Sequence, residues 1–166
     1  MKKALLVVDM QNVCVGEKHA EYFKYDREKL IASVNRIISG YDGEVVYILN
    51  VMKRNLINRL APFHAYEGSF EAEIAEEVKV VSDNFFTKYS GDAFGNPKLK
   101  EFLDSRGITD VEIIGVDGGG CVSLTALGAV KSGYAASVNT AGVGTMFEKK
   151  QASYFEKLRA AGGKII

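Results

Sequence analysis

Residues 111–129, VEIIGVDGGGCVSLTALGA, decide the fold of this chain. They begin with a short apolar and β-branched run at 111–115, which predicts a buried strand. Three glycines at 118–120 predict a turn, and from Val122 onward apolar and small residues recur at helical spacing. Cys121 therefore stands where a strand ends, a glycine turn bends the chain and a helix begins.

This position has chemical consequences for the thiol of Cys121. The free N–H groups and the dipole at a helix N-terminus favour an anion, so we expect the thiolate pKa to fall below its usual value of about 8.5. Gly118, Gly119 and Gly120 permit close approach of a substrate, and their N–H groups are suited to binding an oxyanion. The stretch thus predicts a nucleophilic cysteine beside an anion hole. Two other interpretations stay open: a small buried cysteine after a flexible turn, and a phosphate-binding loop, although the P-loop ending and the GxGxxG spacing are missing.

Length and composition predict one domain over residues 1–166. The chain is 47% hydrophobic and 25% charged, as is usual for a globular protein. Its 21 basic and 21 acidic residues cancel, so neither nucleic acid nor a membrane is expected as a partner. The first apolar run stops at Asp9 and does not resemble a signal peptide. Two cysteines without a secretory signal indicate free thiols and a cytoplasmic location.

Strand and helix patterns alternate along the chain. Strands are predicted at 4–8, 44–49, 78–81, 111–115, 134–138 and 164–166. Helices are predicted from an N-cap at Asp26 to Gly40, at 70–77 after a cap at Ser69, from Pro97 to Gly107, from Cys121 to Gly133, and at 147–161. Residues 13–25, 51–69 and 83–95 are predicted to be irregular, and the long segment 51–69 is interpreted as a lid or a subunit contact.

This alternation predicts a three-layer α/β/α sandwich with a mainly parallel six-stranded sheet, in the order 3-2-1-4-5-6. Ligand sites in such sheets form where the strand order reverses, beyond the carboxyl ends of the strands. The reversal lies between the first strand and the strand before Cys121. We therefore expect Asp9, which follows the first strand, to share a crevice with Cys121.

Asp9 and Lys88 are the other candidate reactive groups. Asp9 follows five apolar residues, so its carboxylate is expected to be partly desolvated, although aspartate is also common as a turn or cap residue. Lys88 follows Phe85 and Phe86 closely, which is consistent with a packed stem and a fixed ammonium, although a solvated lysine is the commoner case. The sequence thus offers an acid, a lysine and a cysteine after three different strands.

Four motifs carry a resemblance to a known family: ALLVVDMQN at 4–12, GSFEAEI at 68–74, KYSGDAF at 88–94 and GVDGGGCVSLTALGA at 115–129. In this order and spacing, the chain resembles the isochorismatase-like cysteine hydrolases, the superfamily that includes nicotinamidases. The resemblance covers nearly the whole chain. It implies that Cys121 is the nucleophile, that Asp9 is the acid/base and that Lys88 completes the triad.

The same resemblance implies a cis peptide between Val116 and Asp117, with the backbone N–H groups of Asp117 and Cys121 forming an oxyanion hole. The family often has Thr-Asp or Thr-Asn at 118–119 and Phe at 14. Glycines at 118–119 are therefore expected to enlarge the site or to loosen the turn, and a cysteine at 14 is expected to leave room. Cys14 is interpreted as a small core residue, with a second thiol or a disulfide to Cys121 as alternatives. The substrate pocket is predicted to include Asn12, Cys14, Gly118, Gly119 and Phe94.

Nicotinamidases share an Asp-x-His…His cluster after the second strand. Here that region holds His64 alone and no aspartate, and His19 lies far back in the chain, so no metal and no cofactor are expected. Arg54 or Arg59 could hold a substrate carboxylate, or both could be solvated. Family members are usually oligomeric, and the resemblance implies a homo-oligomer, a dimer or tetramer.

The predicted function is hydrolysis of a small amide or carbamoyl C–N bond through a thioester. Two alternatives come from other classes. One is a catalytically inactive member that binds small molecules or supports assembly. The other is hydrolysis of a vinyl ether in the isochorismatase manner, for which the cysteine is not needed.

Overall fold

The structure, a computed structural model, describes residues 2–166. Its strands are β1 (Lys2–Val8), β2 (Glu44–Asn50), β3 (Phe85–Lys88), β4 (Ile108–Val116), β5 (Ala135–Gly144) and β6 (Lys164–Ile165). Its α-helices are α1 (Asn12–Val15), α2 (Arg27–Gly40), α3 (Pro97–Ser105), α4 (Cys121–Lys131) and α5 (Glu148–Ala160). Short 3₁₀ turns lie at Asn58–Leu60, Phe70–Ala72 and Ala93–Gly95.

The six strands form one sheet in the order β3-β2-β1-β4-β5-β6, and every neighbouring pair is parallel. This confirms the predicted fold class and strand order. The order reverses between β1 and β4, which pair from Ala4 with Val111 to Val8 with Gly115. The residues after β1 and after β4 therefore start from adjacent positions on the same edge of the sheet.

Both faces of the sheet are covered by helices, as alternate residues of β1 show. Leu5 and Val7 pack in one core with the apolar face of α2, including Leu30 and Val34. The intervening residues of β1 pack in a second core with α3, α4 and α5. A strand that is buried on both faces has to be continuously apolar, which is why the run 4–8 has no polar alternation.

The third strand was predicted at 78–81 and lies instead at Phe85–Lys88, so that prediction is wrong. The valine-rich segment is held beside the sheet by one side chain of β2. The Tyr47 hydroxyl donates to the Lys79 carbonyl at 2.9 Å and accepts from the Val81 N–H at 3.0 Å. Because Tyr47 satisfies these backbone groups, the segment needs no strand partner. Residues 85–88, predicted as irregular, then pair with the edge of β2.

The predicted helix at 70–77 is reduced to the 3₁₀ turn Phe70–Ala72. Two side chains after β1 bind the backbone carbonyls of this segment. The Asn12 side chain donates to the Phe70 carbonyl at 2.9 Å, and the Gln11 side chain donates to the Ala72 carbonyl at 2.7 Å. The Asn12 N–H also donates to the Glu73 carbonyl at 2.8 Å. These contacts favour a segment that runs alongside the residues after β1 over a continued helix. Residues 13–25 were predicted to be irregular, but the structure has one turn of helix there, α1.

Gly115 lets β1 and β4 approach closely where the site begins. Its φ is +116°, and a Cβ built on it would lie 2.0 Å from the Val8 carbonyl oxygen. No residue with a side chain fits this position without moving one of the two central strands. The close approach brings the chain after Val8 and the chain after Val116 to one crevice.

The segment 51–69 has little regular structure, as predicted, and it is unusual in exposing large aliphatic side chains. Leu56, Ile57 and Leu60 are exposed by 77%, 81% and 89%. Its interpretation as a lid or subunit contact stays a prediction. Of the helices in residues 2–166, none has the length and apolar character needed to cross a membrane.

Candidate active site

Asp9 occupies a strained position directly after β1. Its φ is +54°, and it is the one non-glycine residue among those described with a positive φ. The side chain is buried, and the Asp9 N–H donates to the Ile48 carbonyl of β2 at 2.9 Å. Left-handed backbone outside glycine costs free energy and persists where the surroundings enforce it. Here the left-handed conformation turns the chain away from the sheet and places the carboxylate in the crevice.

Lys88 ends β3 and reaches across the edge of the sheet. Its ammonium Nζ lies 2.9 Å from Asp9 Oδ2 and 3.2 Å from Cys121 Sγ. The Lys88 and Asp9 side chains are only 1% and 6% exposed. The structure therefore brings together all three side chains that the sequence proposed as catalytic, with the lysine between the acid and the thiol.

Lys88 is charged despite its burial. Burial alone would lower the pKa of its ammonium, but Asp9 and Cys121 outweigh that effect and raise the pKa above the usual value. A buried ammonium is tolerated when an opposite charge lies at hydrogen-bonding distance. The Lys88–Asp9 pair is thus a fixed dipole beside the thiol.

The thiol of Cys121 behaves differently from the sequence-based expectation. Cys121 does begin α4. Burial and the negative charge of Asp9 nevertheless raise the pKa of Cys121 to about 12, although Lys88 acts in the opposite direction. The expectation of a lowered pKa was wrong because it counted the helix end and omitted desolvation and the neighbouring carboxylate. In the resting protein the thiol keeps its proton at neutral pH.

The rate at which iodoacetamide alkylates Cys121 will measure the opposing effects of Asp9 and Lys88 on the pKa of its thiol. Asp9→Asn removes the charge that raises the pKa of Cys121, so we expect alkylation at pH 8 to become faster. Lys88→Met removes the charge that lowers this pKa, and alkylation should become slower. The rate is followed by mass spectrometry of the peptide that contains Cys121, which separates it from Cys14. Slower alkylation of Asp9→Asn would contradict this electrostatic description.

The turn before Cys121 is braced by Asp117, whose peptide bond with Val116 is cis. Asp117 Oδ1 accepts from the Gly119 N–H at 2.7 Å, and Oδ2 accepts from the Met146 N–H at 2.6 Å. The Tyr25 hydroxyl also donates to Oδ2, at 3.0 Å. The carboxylate of Asp117 therefore holds the turn in place.

The backbone N–H groups between residues 117 and 122 divide into two sets. Four donate within the protein: Gly118 to the Gly144 carbonyl, Gly119 to the Asp117 carboxylate, and Gly120 and Val122 to the Asp117 carbonyl. The N–H groups of Asp117 and Cys121 donate to no described residue. These are the two groups that the resemblance to the family implied for an oxyanion hole.

The glycines at 118 and 119 do not enlarge the site. A Cβ at Gly118 would lie 2.3 Å from the Thr145 Oγ1 atom, and one at Gly119 would lie 2.4 Å from the Phe147 carbonyl. The chain that leads into α5 fills the space that side chains would take. The expectation of a wider pocket was therefore wrong: the glycines allow the turn and the start of α5 to pack together.

Asn12, Cys14 and Phe94 were also predicted to line the pocket. Asn12 is buried, and its side chain donates to the Phe70 carbonyl. Cys14 is a buried member of the core beside α2, and burial followed by the charge of Asp9 raises its pKa. Phe94 packs into the opposite core, with its ring 5.5 Å from that of Tyr134. All three positions have structural contacts, and both cysteines are free thiols.

Two further side chains support the crevice and were missed. Gln11 is 1% exposed and donates to the carbonyls of Asn50 and Ala72, while its Oε1 accepts from the Asn50 N–H at 2.9 Å. It ties the end of β1 to the end of β2. A glutamine three residues after a buried strand was a usable signal for this role, whereas the bond from Tyr25 to Asp117 spans 92 residues and has no local signature.

The residues after β2 do not suit a metal ion. His64, the one histidine of this region, stacks on Tyr66 with 5.2 Å between ring centroids. Within residues 2–166, no three histidine, cysteine or acidic side chains come close enough to hold a metal ion. Transition metals in proteins need more such ligands than this region offers.

Comparison with known proteins supports a relationship over the whole fold. The family model for the isochorismatase domain matches residues 3–166. An isochorismatase-like hydrolase from Alkaliphilus metalliredigens is 25% identical, with a TM-score of 0.83 over 99% of this chain and 93% of that one. N-carbamoylsarcosine amidase from Thermoplasma acidophilum is 25% identical, with a TM-score of 0.84 over 99% of this chain and 95% of that one.

A pyrazinamidase of Pyrococcus horikoshii, solved in complex with zinc, shares the fold. It is 24% identical, with a TM-score of 0.87 over 100% of this chain and 99% of that one. A search of curated proteins by sequence gives no significant match. Because the family model spans all but the first two residues and the solved structures share the fold over its full length, this chain belongs to the isochorismatase family.

Proposed function

We propose that this protein is a cysteine-dependent hydrolase that cleaves a small amide or carbamoyl C–N bond through a thioester. The observation that carries the proposal is the position of Lys88, whose ammonium contacts the Asp9 carboxylate and the Cys121 thiol in one buried crevice. A nucleophile within reach of an acid/base group, with a third group orienting both, is the arrangement that covalent catalysis needs.

The first step transfers the thiol proton of Cys121 to Asp9. Asp9 Oδ2 is held by Lys88, whereas Oδ1 is buried and has no hydrogen-bond partner among the described residues. This free oxygen is available to accept the proton. Because the resting thiol is protonated, the transfer accompanies attack on the substrate, and Lys88 stabilises the thiolate as it forms.

As the proton leaves, the sulfur forms a bond to the substrate carbonyl carbon, and the electron pair of the C=O bond moves to oxygen. The N–H groups of Asp117 and Cys121, which donate to no described residue, are suited to hold this oxyanion. Both belong to a turn fixed by Asp117 and the start of α5. A donor that needs no reorganisation during the reaction stabilises the transition state most effectively.

Collapse of the intermediate breaks the C–N bond, and Asp9 returns its proton to the departing ammonia or amine. Asp9 then takes a proton from a water molecule, whose oxygen attacks the thioester carbonyl. The C–S bond breaks, Cys121 recovers its proton from Asp9, and the acid product leaves. Asp9 thus acts alternately as base and acid, and no oxidant or metal is needed to balance the cycle.

The class of substrate is supported by the comparison with N-carbamoylsarcosine amidase, which matches over nearly the full length of both chains. Two alternatives remain distinct proposals. A catalytically inactive binding or assembly protein would retain the fold and hydrolyse no amide. A vinyl-ether hydrolase would turn over its substrate without the thiol of Cys121.

Trapping of the thioester tests the proposal directly. We expect ammonia release from one or more members of a panel of small primary amides and N-carbamoyl compounds. Acid quenching during turnover should leave the acyl group on the peptide that contains Cys121, and added hydroxylamine should divert the product to a hydroxamate. Turnover without an adduct or a hydroxamate would rule out the thioester, and absence of turnover across the panel would favour the binding role.

A further inference from the structure

The side chain of Tyr25, in the chain just before α2, reaches the turn that precedes Cys121. Its hydroxyl donates to Asp117 Oδ2 at 3.0 Å. Its ring is partly buried and stacks on the Phe23 ring, with 5.9 Å between the centroids and 17° between the planes. Phe23 is buried in the core beside α2. Tyr25 is therefore anchored to the core by its ring and to the turn by its hydroxyl.

The Asp117 carboxylate receives hydrogen bonds from three separate parts of the chain. The Gly119 N–H belongs to the turn itself, and the Met146 N–H belongs to the chain before α5. The third donor, the Tyr25 hydroxyl, is the one side chain among them. Burial and then the charge of Asp117 raise the pKa of Tyr25, so its hydroxyl stays a donor at alkaline pH as well. The carboxylate cannot rotate without breaking one of these bonds.

The ring of Tyr25 also contacts the backbone that supports the turn. A Cβ built on Gly144 would lie 3.0 Å from Tyr25 Cδ1, so the ring packs directly on this glycine. The Gly144 carbonyl accepts from the Gly118 N–H at 3.0 Å. Tyr25 thus contacts both residues whose oxygen atoms accept from the turn glycines, Gly144 for Gly118 and Asp117 for Gly119.

We propose that Tyr25 is a positioning residue for the oxyanion: it fixes the orientation of the Asp117 carboxylate and, through it, the direction of the N–H groups of Asp117 and Cys121. The inference rests on the proposed function, in which these two N–H groups hold the oxyanion. The Tyr25 hydroxyl donates to Asp117 and not to a member of the triad, so its effect on the reaction is indirect. Such donors stabilise the transition state only when they are fixed where the charge develops, so a small rotation of the turn should slow acyl transfer.

Two reagents that react at the same thiol test this role. With p-nitrophenyl acetate, the sulfur of Cys121 bonds to the carbonyl carbon, the oxygen becomes an oxyanion, and p-nitrophenolate leaves. With iodoacetamide, the sulfur displaces iodide from a CH₂ carbon, and no oxyanion forms. In both reactions the thiol proton passes to Asp9 or to solvent. The ratio of the acylation rate to the alkylation rate therefore isolates the contribution of the oxyanion donors.

We expect Tyr25→Phe to lower this ratio about 10-fold, because the ring keeps its packing and only the hydroxyl is lost. Asp117→Asn should also lower the ratio. Adding Tyr25→Phe to Asp117→Asn should have little further effect, since the tyrosine acts through this carboxylate. Tyr22→Phe, which removes a hydroxyl from a neighbouring ring that is 40% exposed, is the control and should leave the ratio unchanged. Mass spectrometry of the peptide that contains Cys121 gives both rates separately from Cys14.

The same ratio for glutathione, a thiol without an oxyanion hole, separates this inference from the proposed function. A wild-type ratio above that of glutathione, lowered by Tyr25→Phe, supports the positioning role. If the wild-type ratio is high but Tyr25→Phe leaves it unchanged, or slows both reactions alike, the positioning role is overturned and the proposed function stands. Additive effects of the two substitutions overturn the action through Asp117. A wild-type ratio no higher than that of glutathione overturns the oxyanion hole itself, and the positioning role with it.

Discussion

Replacement of Cys121 by alanine should abolish amide hydrolysis, with kcat lower by about 10⁴-fold or more. Losses of this size follow when the nucleophile of a catalytic triad is removed, because the remaining groups act as a unit with it. The fold should survive, since Cys121 is only partly buried and alanine is a good residue for the first turn of α4. Ammonia release and thermal denaturation of the purified variant provide the two measurements.

Cys121→Ser is the informative companion to the alanine variant. It keeps the size of the side chain and replaces the sulfur by a poorer nucleophile, so we expect slow or undetectable turnover with an unchanged melting temperature. Full activity of Cys121→Ala on a vinyl ether would support the isochorismatase-type alternative. Full activity of this variant on an amide would refute the thioester mechanism.

Lys88→Met should produce the largest loss of stability among the site variants. The ammonium and the Asp9 carboxylate are both buried, and methionine preserves the stem while leaving the carboxylate without its partner. Removing one member of a buried ion pair typically costs about 3–5 kcal/mol. We expect a decrease of that order in the free energy of unfolding, measured by urea denaturation, together with loss of hydrolysis.

The double variant Asp9→Asn/Lys88→Met separates the cost of an unpaired charge from the cost of altered packing. We expect it to be more stable than Lys88→Met alone, because no buried charge is left uncompensated. Lys98→Met, an exposed change in α3, serves as the control, with an effect within about 0.5 kcal/mol. A double variant less stable than either single variant would show that the pair stabilises mainly through packing.

Much of the site could be predicted because it depends on a rule of parallel sheets. Asp9 and Cys121 follow strands that a doubly wound sheet places side by side, so apolar runs and glycine turns were sufficient to bring them together. Lys88 was recognised by its neighbours and by the family resemblance, although the strand that ends with it was misplaced. Residues 78–81 have a stronger strand pattern than residues 85–88. The Tyr47 side chain, distant in sequence, nevertheless binds the backbone of residues 79 and 81, and the strand forms at 85–88.

Other features could not be predicted because they depend on contacts distant in sequence. The raised pKa of Cys121 follows from its burial and from a carboxylate more than a hundred residues away, whereas the helix end was visible locally. The fit of Gly118 and Gly119 depends on where the chain before α5 returns to the site. Local patterns thus identified the reactive groups, and tertiary packing determined their protonation and the space around them.

The pairing of β1 with β4 has a consequence for how the chain folds during synthesis. β1 pairs with β2 through residues some forty positions away, but its other edge pairs with Ile108–Val116. A ribosome adds about 5–20 residues each second, so that edge stays open for several seconds while the intervening chain emerges. An open edge on an apolar strand readily pairs with other chains. The arrangement that unites Asp9 with Cys121 therefore also makes the nascent chain dependent on late closure of its central sheet.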